Sequence, residues 1–320
     1  MSRRLSCSSP ARSGSDGPNG RSQSMQYDIR HPDFEAIIAP GAALGQLATG
    51  YQFVEGPAWH PGEGHLTFSD IAGDTMYRWS PGEGAPAVFR QPSHKANGNT
   101  YDAMGRLLTC EHATSRVVRL EADGSLPILA SHFGDRELNA PNDIIVTRDG
   151  TIWFSDPLAG RKPFFGVERD QDLDFQGVWK IAPGAAAAEP VARDYELPNG
   201  LCTDAAETVL YVNDTLRKHI RRYDLGPDGT ISGGEVFAEL TGDGEGVADG
   251  MKCDTEGRVW CTGPGGVHVF SPDGVSLGVI LIPEKTANFT WMGADRRMLV
   301  TTSSTSLYTI PVNATGHHLF

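Results

Sequence analysis

The stretch that decides the fold is Leu138-Asn139-Ala140-Pro141-Asn142-Asp143, followed by Ile144-Ile145-Val146 and then by residues 147–156. This last part contains the pair Asp149-Gly150 and a second apolar run that ends in Ser155-Asp156. Short runs rich in β-branched and aromatic residues on either side of an Asp-Gly pair are typical of a β-hairpin. The stretch therefore predicts two antiparallel strands, with Asn142 at the start of the first.

The same pattern recurs along the chain, each time beginning with a residue whose side chain carries an oxygen atom. The six opening residues are Glu55, Asn97, Asn142, Asn199, Asp249 and Asn288. Neighbouring openings are 42, 45, 57, 50 and 39 residues apart, and most copies continue into a third strand-like run. Several continue into a fourth, and four short strands in roughly 40–50 residues are the pattern of a β-propeller blade. The sequence therefore predicts an all-β protein, a six-bladed β-propeller.

The sixth copy ends after its third strand-like run, 306–310, with little chain behind it. An N-terminal strand should therefore close the last blade, because pairing there removes the open edge between the first and last blades. We expect the apolar segment 34–38 to supply this strand. The expected organisation is a disordered tail over residues 1–24, rich in Ser, Arg, Gly and Pro, and one propeller catalytic domain over residues 25–320.

Composition narrows the functional classes. The net charge of −13 argues against nucleic-acid binding, which needs clusters of Lys and Arg. No apolar run of 18 residues is present, which excludes a transmembrane helix and leaves no indication of a membrane partner. The five cysteines have neither disulfide-framework nor zinc-site spacing, and they indicate buried, reduced thiols in a cytoplasmic protein. The sequence does not indicate an oligomeric state.

The opening residues point to a site. In a propeller the first strand of each blade lines the central channel, so the six openings should converge at one face. Asn-Gly and Asp-Gly are also ordinary turn pairs, but this explains Glu55 and Asn142 poorly. Two carboxylates and several amide oxygens form a cage suited to a hard divalent cation, calcium first, with magnesium or manganese as alternatives. Zinc more often recruits His or Cys, and neither opens a blade.

Four motifs carry a family resemblance: 55–59 (Glu-Gly-Pro-Ala-Trp), 141–143 (Pro-Asn-Asp), 198–201 (Pro-Asn-Gly-Leu) and 249–251 (Asp-Gly-Met). In this order they resemble the senescence marker protein (regucalcin)/gluconolactonase family of six-bladed propellers, over residues 34 to 312. The resemblance implies a metal-dependent sugar lactonase whose partner is a small-molecule sugar lactone. It further implies that Glu55, Asn142, Asn199 and Asp249 hold one divalent cation, usually calcium though zinc and others substitute, and that Asp249 is the catalytic acid/base residue.

Two positions depart from the relatives. Regucalcin-like members have an Arg two residues before the third-blade Asn, where this chain has Ala140. Diisopropyl fluorophosphatase has an Asp for a second calcium three residues after its fifth-blade Asp, where this chain has Lys252. We therefore expect a single cation and a different set of substrate contacts. The candidates for these contacts are Asn97, Asn99, His112 and Asp156, together with His94 and Lys95.

The predicted reaction is hydrolysis of the ester bond of a sugar-acid lactone such as glucono-1,5-lactone. The cation would polarise the carbonyl, Asn142 and Asn99 would orient hydroxyl groups, and Asp249 would assist the attacking water. Two alternatives stay open at this point. The same site could hydrolyse organophosphates or other esters, or the chain could be a non-catalytic calcium-binding propeller.

Overall fold

In the described part of the chain, six antiparallel sheets of four or five strands follow one another in sequence. The computed structural model describes residues 26–60 and 62–317. Blade 1 consists of Val54–His60, His65–Asp70, Thr75–Trp79 and Ala87–Arg90. Blade 2 consists of Ala96–Tyr101, Leu107–Glu111, Arg116–Arg119 and Ile128–Ala130. Blade 3 consists of Ile144–Val146, Ile152–Asp156, Gly177–Ile181 and Glu189–Ala192. A two-stranded ribbon, His132–Phe133 and Arg136–Glu137, lies between blades 2 and 3 in sequence.

Blades 4 to 6 complete the ring. Blade 4 consists of Pro198–Thr203, Val209–Asp214, His219–Leu225 and Ile231–Glu239. Blade 5 consists of Met251–Cys253, Val259–Gly263, Gly266–Phe270 and Ser276–Leu281. Blade 6 begins with Thr286–Met292, Met298–Ser303 and Ser306–Pro311. The predicted all-β, six-bladed propeller is confirmed. A short 3₁₀ helix, Ala159–Arg161, lies between the second and third strands of blade 3.

The hairpin predicted from residues 138–156 is present. Strands Ile144–Val146 and Ile152–Asp156 pair antiparallel, with Ile145 opposite Trp153. The turn between them is closed by the Gly150 amide, which donates to the Thr147 carbonyl at 2.8 Å. Gly150 has φ of +88°, a left-handed conformation that glycine adopts without steric cost.

An N-terminal strand does close the last blade, but the segment predicted for this role was wrong. The closing strand is Gly45–Thr49, which pairs with Ser306–Pro311, whereas residues 34–37 lie in the 3₁₀ helix Pro32–Ile37. Proline at the first helical position favours the helix, and its three-residue period places Phe34 and Ile37 on one side, where both are buried. A further strand, Tyr27–Ile29, adds to the outer edge of blade 5.

The hydrophobic core is divided among the blade interfaces. The described residues form six buried clusters, and each contains side chains from two neighbouring blades. The largest packs Trp260 of blade 5 against Trp291 of blade 6, with ring centroids 5.2 Å apart. Because each sheet is buried on both faces, the blades hold one another in register around the axis.

Two further predictions concern the cysteines and the N-terminal tail. The four cysteines in the described residues, Cys110, Cys202, Cys253 and Cys261, are buried and free, as predicted. The predicted disordered tail, residues 1–24, lies outside the described residues. Within the part of the chain that the structure describes, no helix is long and apolar enough to span a membrane.

Candidate active site

The opening residues of neighbouring blades lie against one another. In four cases the glycine after one opening contacts the next opening: Gly56 and Asn97, Gly98 and Asn142, Gly200 and Asp249, Gly250 and Asn288. A Cβ atom on any of these glycines would lie within 2.3 Å of an atom of its partner. The ring closes between the last and first blades, where the Asn288 side-chain amide donates to Glu55 Oε2 at 3.0 Å. These glycines therefore permit close approach of backbones around the axis.

Three carboxyl groups cluster at this ring. Burial, followed by the charge of Asp143, raises the pKa of Glu55 to about 7, while the Gly56 amide, Asn288 and Lys252 oppose the rise. Burial, followed by the charge of Glu55, raises the pKa of Asp249 well above its ordinary value. Burial also raises the pKa of Asp143. Like charges this close disfavour ionisation, so the cluster favours either protons or a cation.

Two asparagines complete the predicted cage. The Asn199 side-chain amide donates to Thr215 Oγ1 at 3.1 Å, while its buried Oδ1 has no hydrogen-bond partner among the described residues. The Asn142 backbone is fixed by Ser155 and Gly98, but its side chain makes no hydrogen bond within the described ranges. A buried amide oxygen without a donor costs free energy unless a ligand satisfies it. Two amide oxygens and two carboxylates therefore fit a divalent cation.

The composition of this cage is unlike that of a transition-metal centre. Over residues 26–60 and 62–317, no group of three or more His, Cys, Asp or Glu side chains is arranged to hold a metal ion. The predicted cage contains only two such residues, Glu55 and Asp249. Oxygen ligands supplied mainly by amides and carboxylates suit calcium or magnesium better than zinc.

Asn97 and His112 form a pair beside the ring. The His112 Nδ1 lies 2.9 Å from the Phe165 carbonyl oxygen, so it carries the proton, and Nε2 accepts from the Asn97 amide at 3.1 Å. Burial lowers the pKa of His112 to about 4, which keeps the ring neutral. His112 is almost wholly buried, so its observed contacts position Asn97. Substrate contact by either residue stays a prediction.

The observed contacts of Asn99 weigh against the role predicted for it. Its amide donates to the Gly56 carbonyl and to Ser69 Oγ, both at 2.9 Å, and its Oδ1 accepts from Thr109 Oγ1 at 2.8 Å. Asn99 also lines a cavity of about 120 Å³ in the channel between the inner strands. With these internal bonds, Asn99 braces the first two blades.

Asp156 is buried inside blade 3 and also makes structural contacts. Its two carboxylate oxygens accept from the backbone amides of Asn139 and Ala140 at 2.9 and 2.8 Å. Asp70 and Asp214 bind two backbone amides in the same way at the end of the second strand in blades 1 and 4. A repeated blade contact explains Asp156, and its substrate contact stays a prediction that these bonds weigh against.

The remaining candidates lie in the connection before the inner strand of blade 2. Lys95 Nζ donates to the Ala72 carbonyl at 2.9 Å, which ties it to blade 1. His94 and Lys95 both have left-handed backbone conformations, with φ of +59° and +56°. His94 is half-buried, and its carbonyl accepts from the Ala113 amide.

Two residues outside the predicted cage and the predicted substrate contacts also lie at the site. Asp143 follows Asn142 directly, and its Oδ2 is buried without a hydrogen-bond partner among the described residues. Lys252 lines the channel cavity, with Nζ 5.9 Å from the centroid of the Phe289 ring. Its charge lowers the pKa of both Glu55 and Asp143. The only signal for Asp143 was its place in the Pro-Asn-Asp motif.

Comparison with known proteins agrees with the fold. The family model for the SMP-30/Gluconolactonase/LRE-like region matches residues 53–305. A gluconolactonase of Zymomonas mobilis is 26% identical over 271 residues, 78% of this chain and 75% of that protein. A gluconolactonase structure from Xanthomonas campestris has a TM-score of 0.83 and 33% identity, covering 90% of this chain and 95% of that one.

A more distant structure shares the fold. Regucalcin of Agrobacterium tumefaciens, described as a calcium-binding protein, has a TM-score of 0.73 at 22% identity, covering 86% of this chain and 95% of that one. The family match confirms the resemblance carried by the four motifs. This chain belongs to the SMP-30/gluconolactonase/LRE-like family.

Proposed function

We propose that this chain is a divalent-cation-dependent hydrolase that opens sugar-acid lactones. The observation that carries the proposal is the ring of blade openings beside the unpartnered oxygen of Asn199. There burial and then the charge of Asp143 raise the pKa of Glu55, and burial and then the charge of Glu55 raise the pKa of Asp249. A buried pair of carboxylates is costly unless a positive charge compensates it. The gluconolactonases among its relatives support the substrate class.

Glu55, Asn142, Asn199 and Asp249 would hold the cation, for which calcium suits the oxygen ligands best. A bound divalent cation supplies positive charge that polarises the lactone carbonyl and stabilises the negative charge developing on its oxygen. Glu55 is fixed for this task by the Asn288 amide, and Asn199 by Thr215. Lys252 does not belong to the cage, and its ammonium group in the channel favours one cation over two.

Asp249 is the proposed proton acceptor. Ionised beside the cation, its carboxylate takes a proton from the water that attacks the carbonyl carbon, and the proton passes on to the departing ring oxygen. The ring opens to the hydroxy acid. Asn97, oriented by His112, is the proposed contact to a substrate hydroxyl. Each of these roles uses a side chain at the ring of blade openings.

The test compares Asp249→Asn with Glu55→Gln on cation-free protein refilled with calcium, magnesium, manganese or zinc. Both variants replace one cage carboxylate with an amide, but only Asp249→Asn removes the proposed base. With the cation saturating, Asp249→Asn should lose about 10²–10⁴-fold in kcat on glucono-1,5-lactone. Glu55→Gln should bind the cation more weakly and regain more activity in excess cation.

The outcomes separate the alternatives. Near wild-type turnover by saturated Asp249→Asn would place the base elsewhere, with Asp143 next. Hydrolysis of phosphoesters but of no lactone would favour the organophosphate reading. Cation binding without turnover of any lactone or ester by the wild type would identify a calcium-binding propeller.

A further inference from the structure

The connection between the second and third strands of blade 3 is much longer than its counterparts. It spans residues 157–176, between Ile152–Asp156 and Gly177–Ile181, whereas the other blades use two to four residues there. Second strands run antiparallel to first strands, so they end at the face where the openings lie. The long connection, here called the blade 3 insertion, therefore lies on the face of the candidate site.

The blade 3 insertion is held firmly by two arginines. Arg161 is buried and donates to the carbonyls of Asn139 and Leu138 at 2.8 and 2.7 Å. Arg169 donates to the His112 carbonyl at 3.0 Å. Gly160 packs so tightly on His112 that a Cβ atom there would lie 2.4 Å from the imidazole ring. The insertion is thus anchored to blades 2 and 3.

Two phenylalanine rings of this anchored segment pack against Phe53, which directly precedes the first strand of blade 1. Phe53 makes edge-to-face contacts with Phe165 and Phe164, with centroids 5.0 and 6.2 Å apart, and Phe164 and Phe165 are 5.0 Å apart. The Phe164 side chain is 54% exposed, and among the strongly exposed large apolar residues of the described chain it is the only aromatic one. Its φ of +79° is left-handed, which is strained for a side chain of this size.

The three rings are connected to the site from two directions. Phe53 lies two residues before Glu55, and its amide is fixed by Asp70 at 2.9 Å. The Phe165 carbonyl accepts from His112, whose other ring nitrogen accepts from the opening residue Asn97. The rings therefore stand at the rim beside the openings of blades 1 and 2.

We propose that Phe53, Phe164 and Phe165 form an aromatic wall of the substrate pocket, and that the exposed ring of Phe164 packs on the apolar C–H face of the lactone ring. This inference rests on the proposed lactonase function and assigns residues that determine its specificity. An anchored but strained, solvent-exposed aromatic residue is unfavourable for the free protein, and a substrate that covers it offsets the cost. Pockets for small molecules commonly combine such aromatic walls with a few polar groups.

The experiment uses the full-length, cation-loaded protein and compares Phe164→Ala and Phe164→Tyr with Val236→Ala. Val236 is equally exposed, at 53%, but lies on the outer strand of blade 4. Steady-state kinetics are measured on glucono-1,5-lactone, and the affinity for glucono-1,5-lactam, a ring analogue that resists hydrolysis, is measured by calorimetry. The cation Kd is determined for each variant.

Phe164→Ala should raise KM and the lactam Kd about tenfold, the size expected for losing an apolar contact, with kcat and the cation Kd nearly unchanged. Phe164→Tyr and Val236→Ala should resemble the wild type. Phe164→Gly should also raise KM while raising the melting temperature, because glycine relieves the left-handed strain.

Two results would refute the proposal that these phenylalanines form a wall of the substrate pocket. If the wild type hydrolyses lactone and Phe164→Ala keeps its KM and lactam Kd, the wall is wrong while the lactonase function stands. If the wild type neither turns over lactones nor binds the lactam, the proposed function fails and the wall fails with it.

Discussion

Cation binding should release protons, and the carboxyl cluster determines how many. The perturbation is the addition of a divalent cation to protein stripped of metal by a chelator, at pH values from 6 to 8. Without a cation, the pKa of Glu55 is about 7 and that of Asp249 is well above its ordinary value, in both cases because of burial first and a neighbouring carboxylate second. A cation binds carboxylates in their ionised form, so bound protons must leave.

The magnitude follows from these two groups. At pH 7 a carboxyl group with a pKa of about 7 is half protonated, so Glu55 contributes about half a proton and Asp249 up to one. The expected release is therefore about 0.5–1.5 protons per cation at pH 7. The apparent affinity should fall by about tenfold per pH unit for each proton released as the solution becomes more acidic.

Calorimetric titration in several buffers of different ionisation enthalpy measures this number, since the slope of the observed enthalpy against the buffer enthalpy is the proton count. Asn199→Ala provides the comparison, because it weakens the cage without removing a titratable group. Since the Asn199 hydrogen bond lowers the pKa of Asp249, its removal should not decrease the proton count. Glu55→Gln should lower the count. Stoichiometric binding with no proton release between pH 6 and 7 would refute the reasoning, since both carboxylates would then be ionised without the cation.

Three further outcomes are expected. Asn199→Ala should lose cation affinity and lactone turnover, with the unfolding free energy of the cation-free protein changed by about 1 kcal/mol or less in denaturant melts. In chelator, the melting temperature should fall as pH rises through about 7. The pKa of Glu55 is raised in the folded state, so this group stabilises the fold only while its carboxyl is protonated. Saturating cation should remove this trend. Gly250→Ala, whose Cβ would lie 2.1 Å from Asn288, should destabilise the protein by about 1–3 kcal/mol and weaken cation binding, whereas Gly84→Ala, with open space around it, should do neither.

The repeat explains why so much of the fold could be predicted from the sequence. Each blade is a local unit of short strands, and patterns such as 144–156 carry the short apolar runs and turn residues that specify it. The closing strand was harder to identify, because the apolar residues Phe34 and Ile37 satisfy a 3₁₀ helix as well as a strand. Only pairing with residues 306–311, far away in sequence, selects 45–49 instead.

The substrate side of the site was less accessible to sequence reasoning. The 57-residue spacing between the third and fourth openings, the longest in the chain, marks the blade 3 insertion. Nothing local shows, however, that Phe164 and Phe165 meet Phe53, which lies more than 100 residues earlier in the chain. Contacts of this kind depend on how a loop of one blade crosses its neighbours, which has no periodic signature.

The carboxylates illustrate the same limit at the centre of the site. Burial raises the pKa of Asp156 to about 7, and the backbone amides 16 and 17 residues earlier in its own blade oppose this rise. These hydrogen bonds form within one blade, whatever the other blades do. Glu55 accepts from the neighbouring Gly56 amide, and its other described hydrogen-bond donor, Asn288, is 233 residues away across the closed ring. The repulsion between Glu55 and Asp249 likewise exists only once blades 1 and 5 stand around one axis. The contacts of Asp156 therefore stabilise its own blade. Glu55 and Asp249 come together only when the ring closes, and a bound cation can compensate their negative charge.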